Sequence, residues 1–402
     1  MATTGGFLWA GGIEDTFIVH PHAGTGRTLE EYELIDHYGR WKDDLRAVVS
    51  LGIDALRWGI PWYRIEPSPG RFTWDWVDEV VAFLVDDLHV DPIVDLIHYG
   101  TPGWLPGAFV DPGFPAAFDR YVTAFAKRYR GRVRYATPVN EPYTAAEFSG
   151  RRGDWPPYHH GERGFVAVMM AASRASVVAS RILADNGYTT VHVEVATGAL
   201  CGEPGCEAAA EALTLRNELS WDLITGRVDA AHPLRDWLVA NGASGADLDW
   251  FQRNHAAIDI VGVNYYPQWS WVTVTRGADD GEVVLPVNGG PVLLERHLRR
   301  FWKKYGLPMM VTETSVRGMT WEQTAWLEAS TAVVSRLRDE GMPLRGYTWF
   351  PLIDMIDWEY RNRPGDRTDY LLKLGLWTIE RAARPAAETY RSIIAREKRA
   401  RA

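Results

Sequence analysis

Cysteine is scarce in this chain of 402 residues, Cys201 and Cys206 being the two present. They lie in a Gly- and Pro-containing segment with no histidine beside them, which falls short of a structural zinc set. Two plain loop thiols or one local disulfide are the choices left, and neither needs a metal or an organic cofactor. A surplus of basic charge is also lacking: 43 Lys and Arg face 52 Asp and Glu, for a formal net charge of -9. With no basic stretch to meet phosphates, a nucleic-acid partner is not expected. No run approaches the ~18 uninterrupted apolar residues of a membrane-crossing helix, and the amino terminus has no cationic segment leading into an apolar run and a cleavage site. A cytoplasmic protein without membrane contact is the expectation. Internal repeats, Pro/Ser-rich linkers and low-complexity tails are missing as well, so one domain spanning residues 1–402 is the simplest organisation.

What is present is a chain 46% hydrophobic with 19 Trp, patterned as short apolar runs between longer helical stretches. Candidate strands run from Phe7 to Ala10, Ala55 to Trp58, Pro92 to Ile97, Tyr135 to Val139, Thr190 to Ala196, Ile258 to Asn264, Pro308 to Thr312 and Leu344 to Phe350. Between them, Asp75 to His89 places Val77, Val80, Val81 and Leu84 on one helical face. Pro115 to Tyr129 starts with a helix-compatible Pro and repeats apolar residues at helical spacing. Gly164 to Asn186, Glu207 to Trp221, Trp321 to Glu340 and Pro385 to Arg396 read as further helices. Alternation of this kind implies parallel pairing, and eight such units predict a (β/α)8 barrel, with a doubly wound sheet as the alternative. Residues 267–292 are the least helical and predict an elaborated loop or small hairpin after the sixth strand.

Polar residues cluster at the strand ends. Thr137-Pro138-Val139-Asn140-Glu141-Pro142 ends an apolar strand in an amide and a carboxyl, and Pro142 discourages further pairing. Pro308-Met309-Met310-Val311-Thr312-Glu313-Thr314 ends another in a second carboxyl. In a barrel the carboxyl ends of strands converge on one mouth, where two facing carboxyls can perform acid/base and nucleophilic chemistry on a glycosidic bond. Retention or inversion then depends on their separation, which sequence spacing does not measure. Arg57 is positioned to favour the ionised form of Glu313. His98 ends the third strand and can hydrogen-bond a sugar hydroxyl. Asn264 and Tyr266, two apart, can face the same side. Trp349 is the candidate sugar platform, with Asp357 and Trp358 as the far wall of a pocket.

The motifs Phe7-Leu8-Trp9-Ala10, Leu56-Arg57-Trp58-Gly59-Ile60-Pro61-Trp62-Tyr63-Arg64-Ile65, Asn140-Glu141-Pro142, Gly262-Val263-Asn264-Tyr265-Tyr266, Val311-Thr312-Glu313, the region around Trp349, and Lys373-Leu374-Gly375-Leu376 with Pro385 and Tyr390 occur in this order. Together they resemble glycoside hydrolase family one, the β-glucosidase and β-galactosidase family. The resemblance implies retaining, exo-acting hydrolysis of a small-molecule β-glycoside or short oligosaccharide, with Glu141 as acid/base and Glu313 as nucleophile. It also implies supporting roles for Arg57, Asn140, Asn264 and Tyr266, and sugar contacts for His98 and Trp349. This chain departs from the family pattern in three places. Gly12-Ile13-Glu14 stands where a Gln is usual, so Glu14 is the candidate substitute. Phe350-Pro351-Leu352 replaces Ser-Leu, and Asp357-Trp358 replaces Glu-Trp. Arg361, Arg363 and Arg367 do not reproduce the motif of the phosphate-sugar branch, which favours an unphosphorylated substrate. A transglycosylating or inverting enzyme and a carbohydrate-binding pseudoenzyme remain the alternatives, and homo-oligomer formation is left open.

Overall fold

The computed structural model describes residues 6–13, 16–277 and 281–401. Its centre is a closed barrel of eight parallel strands: β1 (Leu8–Gly12), β2 (Ala55–Gly59), β3 (Asp91–Asp95), β4 (Tyr135–Thr137), β5 (Thr189–Val195), β6 (Ile260–Tyr265), β7 (Met309–Thr314) and β8 (Leu344–Trp349). Strands pair in chain order, and β1 closes the ring by pairing with β8 through Leu8 and Gly346 to Gly11 and Trp349. Each strand is followed by a helix on the outside: α1 (His37–Val49), α2 (Asp75–Ala82), α3 (Phe114–Arg128), α4 (Gly161–Asp185), α5 (Glu207–Ile224), α6 (Gly290–Tyr305), α7 (Thr320–Asp339) and α8 (Pro385–Arg401). The expected (β/α)8 barrel is the observed one.

Period-two alternation divides each strand between the barrel lumen and the helical coat. Ala10, Ala55, Ile93, Tyr135, Val191, Val193, Ile260 and Met310 form one buried cluster inside the ring. Gly346 makes room for it, since a Cβ there would lie 2.8 Å from the Met310 side chain. Towards the carboxyl ends of the strands the inward positions turn polar, with Arg57, Asp95, Asn264 and Thr312 all buried. Apolar packing thus fills the lower barrel and leaves the charged groups at its mouth.

The helices bury their apolar stripes against the sheet. α4 is long and apolar enough to cross a membrane by length and composition. In this fold Val166, Met169, Ala172, Ala179 and Leu183 are buried in the barrel wall. The predicted irregular segment after β6 is a hairpin, Trp271–Arg276 against Glu282–Val287. It pairs in parallel with Gly198–Cys201 from the loop after β5. Both cysteines are free thiols, Cys201 exposed and Cys206 buried, so the local disulfide is not formed.

Candidate active site

Glu141 sits at a sharp turn just beyond β4. Its φ of 40° lies in the left-handed region, which costs a non-glycine residue ~1–3 kcal/mol and is tolerated where surrounding bonds over-determine it. Those bonds are present. The Asn140 N–H donates to the Ile97 carbonyl at 2.8 Å, the Glu141 N–H to the Val193 carbonyl at 3.1 Å, and the Ala145 N–H to the Glu141 carbonyl at 3.1 Å. Pro142 opens the short helix that follows. The carboxyl accepts from Asn264 Nδ2 at 2.7 Å on one oxygen, and from Thr144 Oγ1 at 2.7 Å and the Tyr99 hydroxyl on the other.

Glu313 reaches the same cavity from β7, where the pairing with β6 shifts register between Val311 and Glu313. Such an irregularity re-aims a side chain. The Glu313 carboxyl accepts from the Arg57 guanidinium on one oxygen and from the Tyr266 hydroxyl at 2.6 Å on the other. Arg57 is fully buried and also binds Asp95 and, at 2.6 Å, Asn140 Oδ1. One cation therefore joins Glu313 to the residue beside Glu141. Asn264 makes a second link, accepting from Thr312 Oγ1 at 2.6 Å while donating to Glu141.

Burial pushes the Glu313 carboxyl up to about 8, and the Glu141 charge adds to the rise against the pull of Arg57, His98 and Tyr266. Arg57 favours the ionised form, as expected, and loss of water outweighs that pull. Glu194, on the outward face of β5, is a further buried carboxyl, one that no motif marks. It accepts from the Tyr143 N–H at 3.0 Å, the Val195 N–H at 3.0 Å and Ser220 Oγ at 2.7 Å, tying down the chain that carries Glu141. Burial holds it well above the usual carboxylate range, with the Glu141 charge contributing.

The two carboxyls open into a cavity of about 460 Å³ whose wall includes His98, Tyr266, Phe350, Asp357 and Trp358. The structure therefore brings together Arg57, His98, Asn140, Glu141, Asn264, Tyr266, Glu313, Asp357 and Trp358. It does not bring Trp349 to the cavity wall: that ring is fully buried, its indole N–H donating to the Leu374 carbonyl at 3.1 Å. Phe350 occupies the wall instead. Both nitrogens of His98 are engaged within the protein, with Asp95 and Asn140 at 3.1 Å each. Glu14 lies outside the described residues. Tyr99 and Thr144 complete the site without having been singled out, and Phe350, noted only as a departure from the family pattern, joins them. Thr144, one helical turn after Glu141, carried the clearest local signal.

The three cations of the β8 loop are committed elsewhere. Arg361 is buried and donates to the Asp154 and His20 carbonyls, Arg363 pairs with Glu359, and Arg367 donates to the Leu34 carbonyl.

Residues 10–225 match the family model for glycosyl hydrolase family 1. A bifunctional β-D-glucosidase/β-D-fucosidase of Bifidobacterium breve is 25% identical over 448 residues, covering 95% of this chain and 92% of that protein. β-Glucosidase 47 of Arabidopsis thaliana is 24% identical, covering 90% and 76% respectively. Among solved structures, a β-glucosidase of Thermotoga maritima in complex with castanospermine superposes with a TM-score of 0.85 at 20% identity, covering 97% of each chain.

Proposed function

The chain belongs to glycosyl hydrolase family 1 and is a β-glycosidase acting on O-glycosyl bonds; from that premise we propose that it is a retaining, exo-acting enzyme with Glu141 as acid/base and Glu313 as nucleophile. The observation that carries this assignment is the contrast between the two carboxyl environments. Arg57 can only donate to Glu313, so the oxygen it faces is suited to negative charge. Glu141 faces the hydroxyls of Tyr99 and Thr144, and a hydroxyl can accept as well as donate. A proton on Glu141 therefore finds a partner.

In the first step Glu313 attacks the anomeric carbon. The bond to the leaving oxygen breaks, and Glu141 gives that oxygen its proton, releasing the aglycone as an alcohol. Arg57 and Tyr266 hold the Glu313 carboxylate in place, and its negative charge passes to the leaving oxygen as the ester bond forms. Glu141, now ionised, takes a proton from water while the water oxygen attacks the anomeric carbon. The ester bond to Glu313 breaks, and the sugar leaves with its original configuration. An unphosphorylated substrate is supported by the engagement of Arg361, Arg363 and Arg367 within the protein. The small-molecule ligand named for the Thermotoga neighbour supports a monosaccharide-sized glycone.

Replacement of Glu313 by Gly should abolish hydrolysis of an activated aryl β-glycoside, and added azide should restore turnover as the α-glycosyl azide. A folded Glu313→Gly protein hydrolysing at the wild-type rate would overturn the nucleophile. Proton NMR of the first product should show the β-anomer; an α-anomer would overturn retention.

A further inference from the structure

Resting on the carboxyl-pair assignment, we propose that Tyr99 is a positioning residue for the acid/base: its hydroxyl stabilises the charge left on Glu141 as the leaving oxygen takes the proton. The two oxygens of Glu141 have different surroundings. Oε1 accepts from Asn264 Nδ2 at 2.7 Å, and that amide is fixed in orientation because its own oxygen accepts from Thr312 Oγ1 at 2.6 Å. An amide nitrogen can only donate, so a proton on Oε1 would find no acceptor in Asn264. Oε2 faces the hydroxyls of Tyr99 and Thr144, each able to accept or donate, and is the oxygen suited to carry the proton. Once that proton has passed to the leaving oxygen, the Tyr99 hydroxyl donates to the carboxylate that remains. A hydrogen bond to an ionised group is stronger than one between neutral groups, so this contact strengthens as the proton departs. An interaction stronger in the transition state than in the bound substrate accelerates the step.

Of the two hydroxyls, Tyr99 is the one that ties Glu141 to a distant part of the barrel. Thr144 stands in the helix that Pro142 opens, so its bond moves with the chain that carries the acid. Tyr99 comes from the chain after β3, 42 residues away, and its own backbone is held firmly. Its φ of 67° lies in the left-handed region, which a non-glycine residue keeps only where its surroundings enforce it. The Gly100 N–H donates to the His98 carbonyl at 2.9 Å, and a Cβ on Gly100 would fall 1.7 Å from the Phe17 carbonyl oxygen. The turn is thus pressed against backbone that cannot give way cheaply. The Tyr99 ring is buried and packs against Trp155 and Trp358, with centroids 5.3 and 5.4 Å away. Phenylalanine would make the same ring contacts; the hydroxyl is what reaches Glu141. Since Glu141 also has a left-handed φ, two backbones in a costly conformation meet in one hydrogen bond.

The test uses the full chain and aryl β-glucosides graded from 2,4-dinitrophenyl, whose leaving group needs no proton, to phenyl, whose leaving group does. Tyr99→Phe should leave kcat/KM for the dinitrophenyl substrate within about twofold of wild type and lower that for the phenyl substrate by about tenfold. Glu141→Ala should show the same dependence on leaving group with a larger loss, about a hundredfold or more for the phenyl substrate. Adding Tyr99→Phe to Glu141→Ala should then change nothing further, because the hydroxyl acts through the carboxyl that is gone. A packing defect would depend neither on the leaving group nor on Glu141. A Tyr99→Phe loss that is equal across the series, or that persists undiminished in the Glu141→Ala background, would therefore overturn the proposal while leaving the acid/base assignment in place. An equal loss across the series in Glu141→Ala itself would overturn that assignment, and the proposal with it.

Discussion

Glu313 lies at the meeting point of opposed electrostatic effects, with burial lifting its carboxyl up to about 8, Glu141 adding to the rise and Arg57 opposing it. Tyr266→Phe removes a hydrogen bond that favours the ionised carboxyl, so the pKa of Glu313 should rise. With a substrate whose leaving group needs no protonation, the acid limb of kcat/KM should move to higher pH. An unmoved limb would mean that the Tyr266 hydroxyl does not hold the Glu313 carboxylate. Glu30, in the chain after β1, offers a pH effect on stability without touching the cavity. Burial raises its carboxyl to about 7, against hydrogen bonds from Tyr38, the Glu33 N–H and Tyr63. A raised acid favours the folded state below its unfolded value near 4.5, and that advantage is lost as pH climbs towards 7. The loss is roughly 3 kcal/mol. Glu30→Gln should therefore lose less stability than wild type between pH 4.5 and 7, read as the unfolding temperature at each pH. Parallel curves would contradict the assignment.

At the scale of elements, the strands were legible because each is a compact apolar run, and their ends shifted for physical reasons. β4 stops at Thr137 although its apolar run continues to Val139, because Pro138 has no N–H to donate to a ladder. β7 runs on to Thr314 through an irregularity that no propensity announces. α6 escaped notice although Leu294, His297, Leu298, Phe301 and Tyr305 bury one clean face; Gly289 and Gly290 blur its start. The carboxyls were legible because each closes an apolar strand. Tyr99, Glu194 and Phe350 were not, since their partners lie far away in the chain. The helical coat also contains a contact that composition conceals. α4 crosses the segment Ala146–Arg152 where Gly164 meets Gly150, and a Cβ on Gly164 would fall 2.0 Å from the Gly150 carbonyl oxygen. That atom is backbone and cannot step aside cheaply. The same segment carries Glu147, Phe148 and Arg152 to the cavity wall. Gly164→Ala should consequently lower the unfolding temperature and raise KM by several-fold, with kcat affected less. A variant with wild-type stability would show that the two elements separate without strain.

For the whole molecule, the decisive seam is the one where the first and last strands meet, because a parallel barrel has no stable edge until β1 and β8 pair. The polar mouth depends on that closure. Arg57 stands on β2 beside β1, while Phe350 directly follows β8, and the two meet across the seam. α8 reinforces the join from outside. Tyr390, fully buried, donates its hydroxyl to the Ala10 carbonyl on β1 at 2.7 Å and lies 3.2 Å from the Tyr347 carbonyl on β8. Its ring packs near Trp9 and Tyr347, with centroids 6.1 and 6.0 Å away, so the contact is both apolar and polar. Tyr390→Phe keeps the ring and removes the hydroxyl, so the hydrogen bond to the Ala10 carbonyl is lost at a cost of about 1–2 kcal/mol. Since Tyr390 touches no group in the cavity, kcat/KM at a temperature where the variant is folded should equal that of wild type, while the midpoint in urea should fall. A fall in kcat/KM at full folding would instead mean that closure at the seam sets the geometry of Arg57 and, through it, of Glu313.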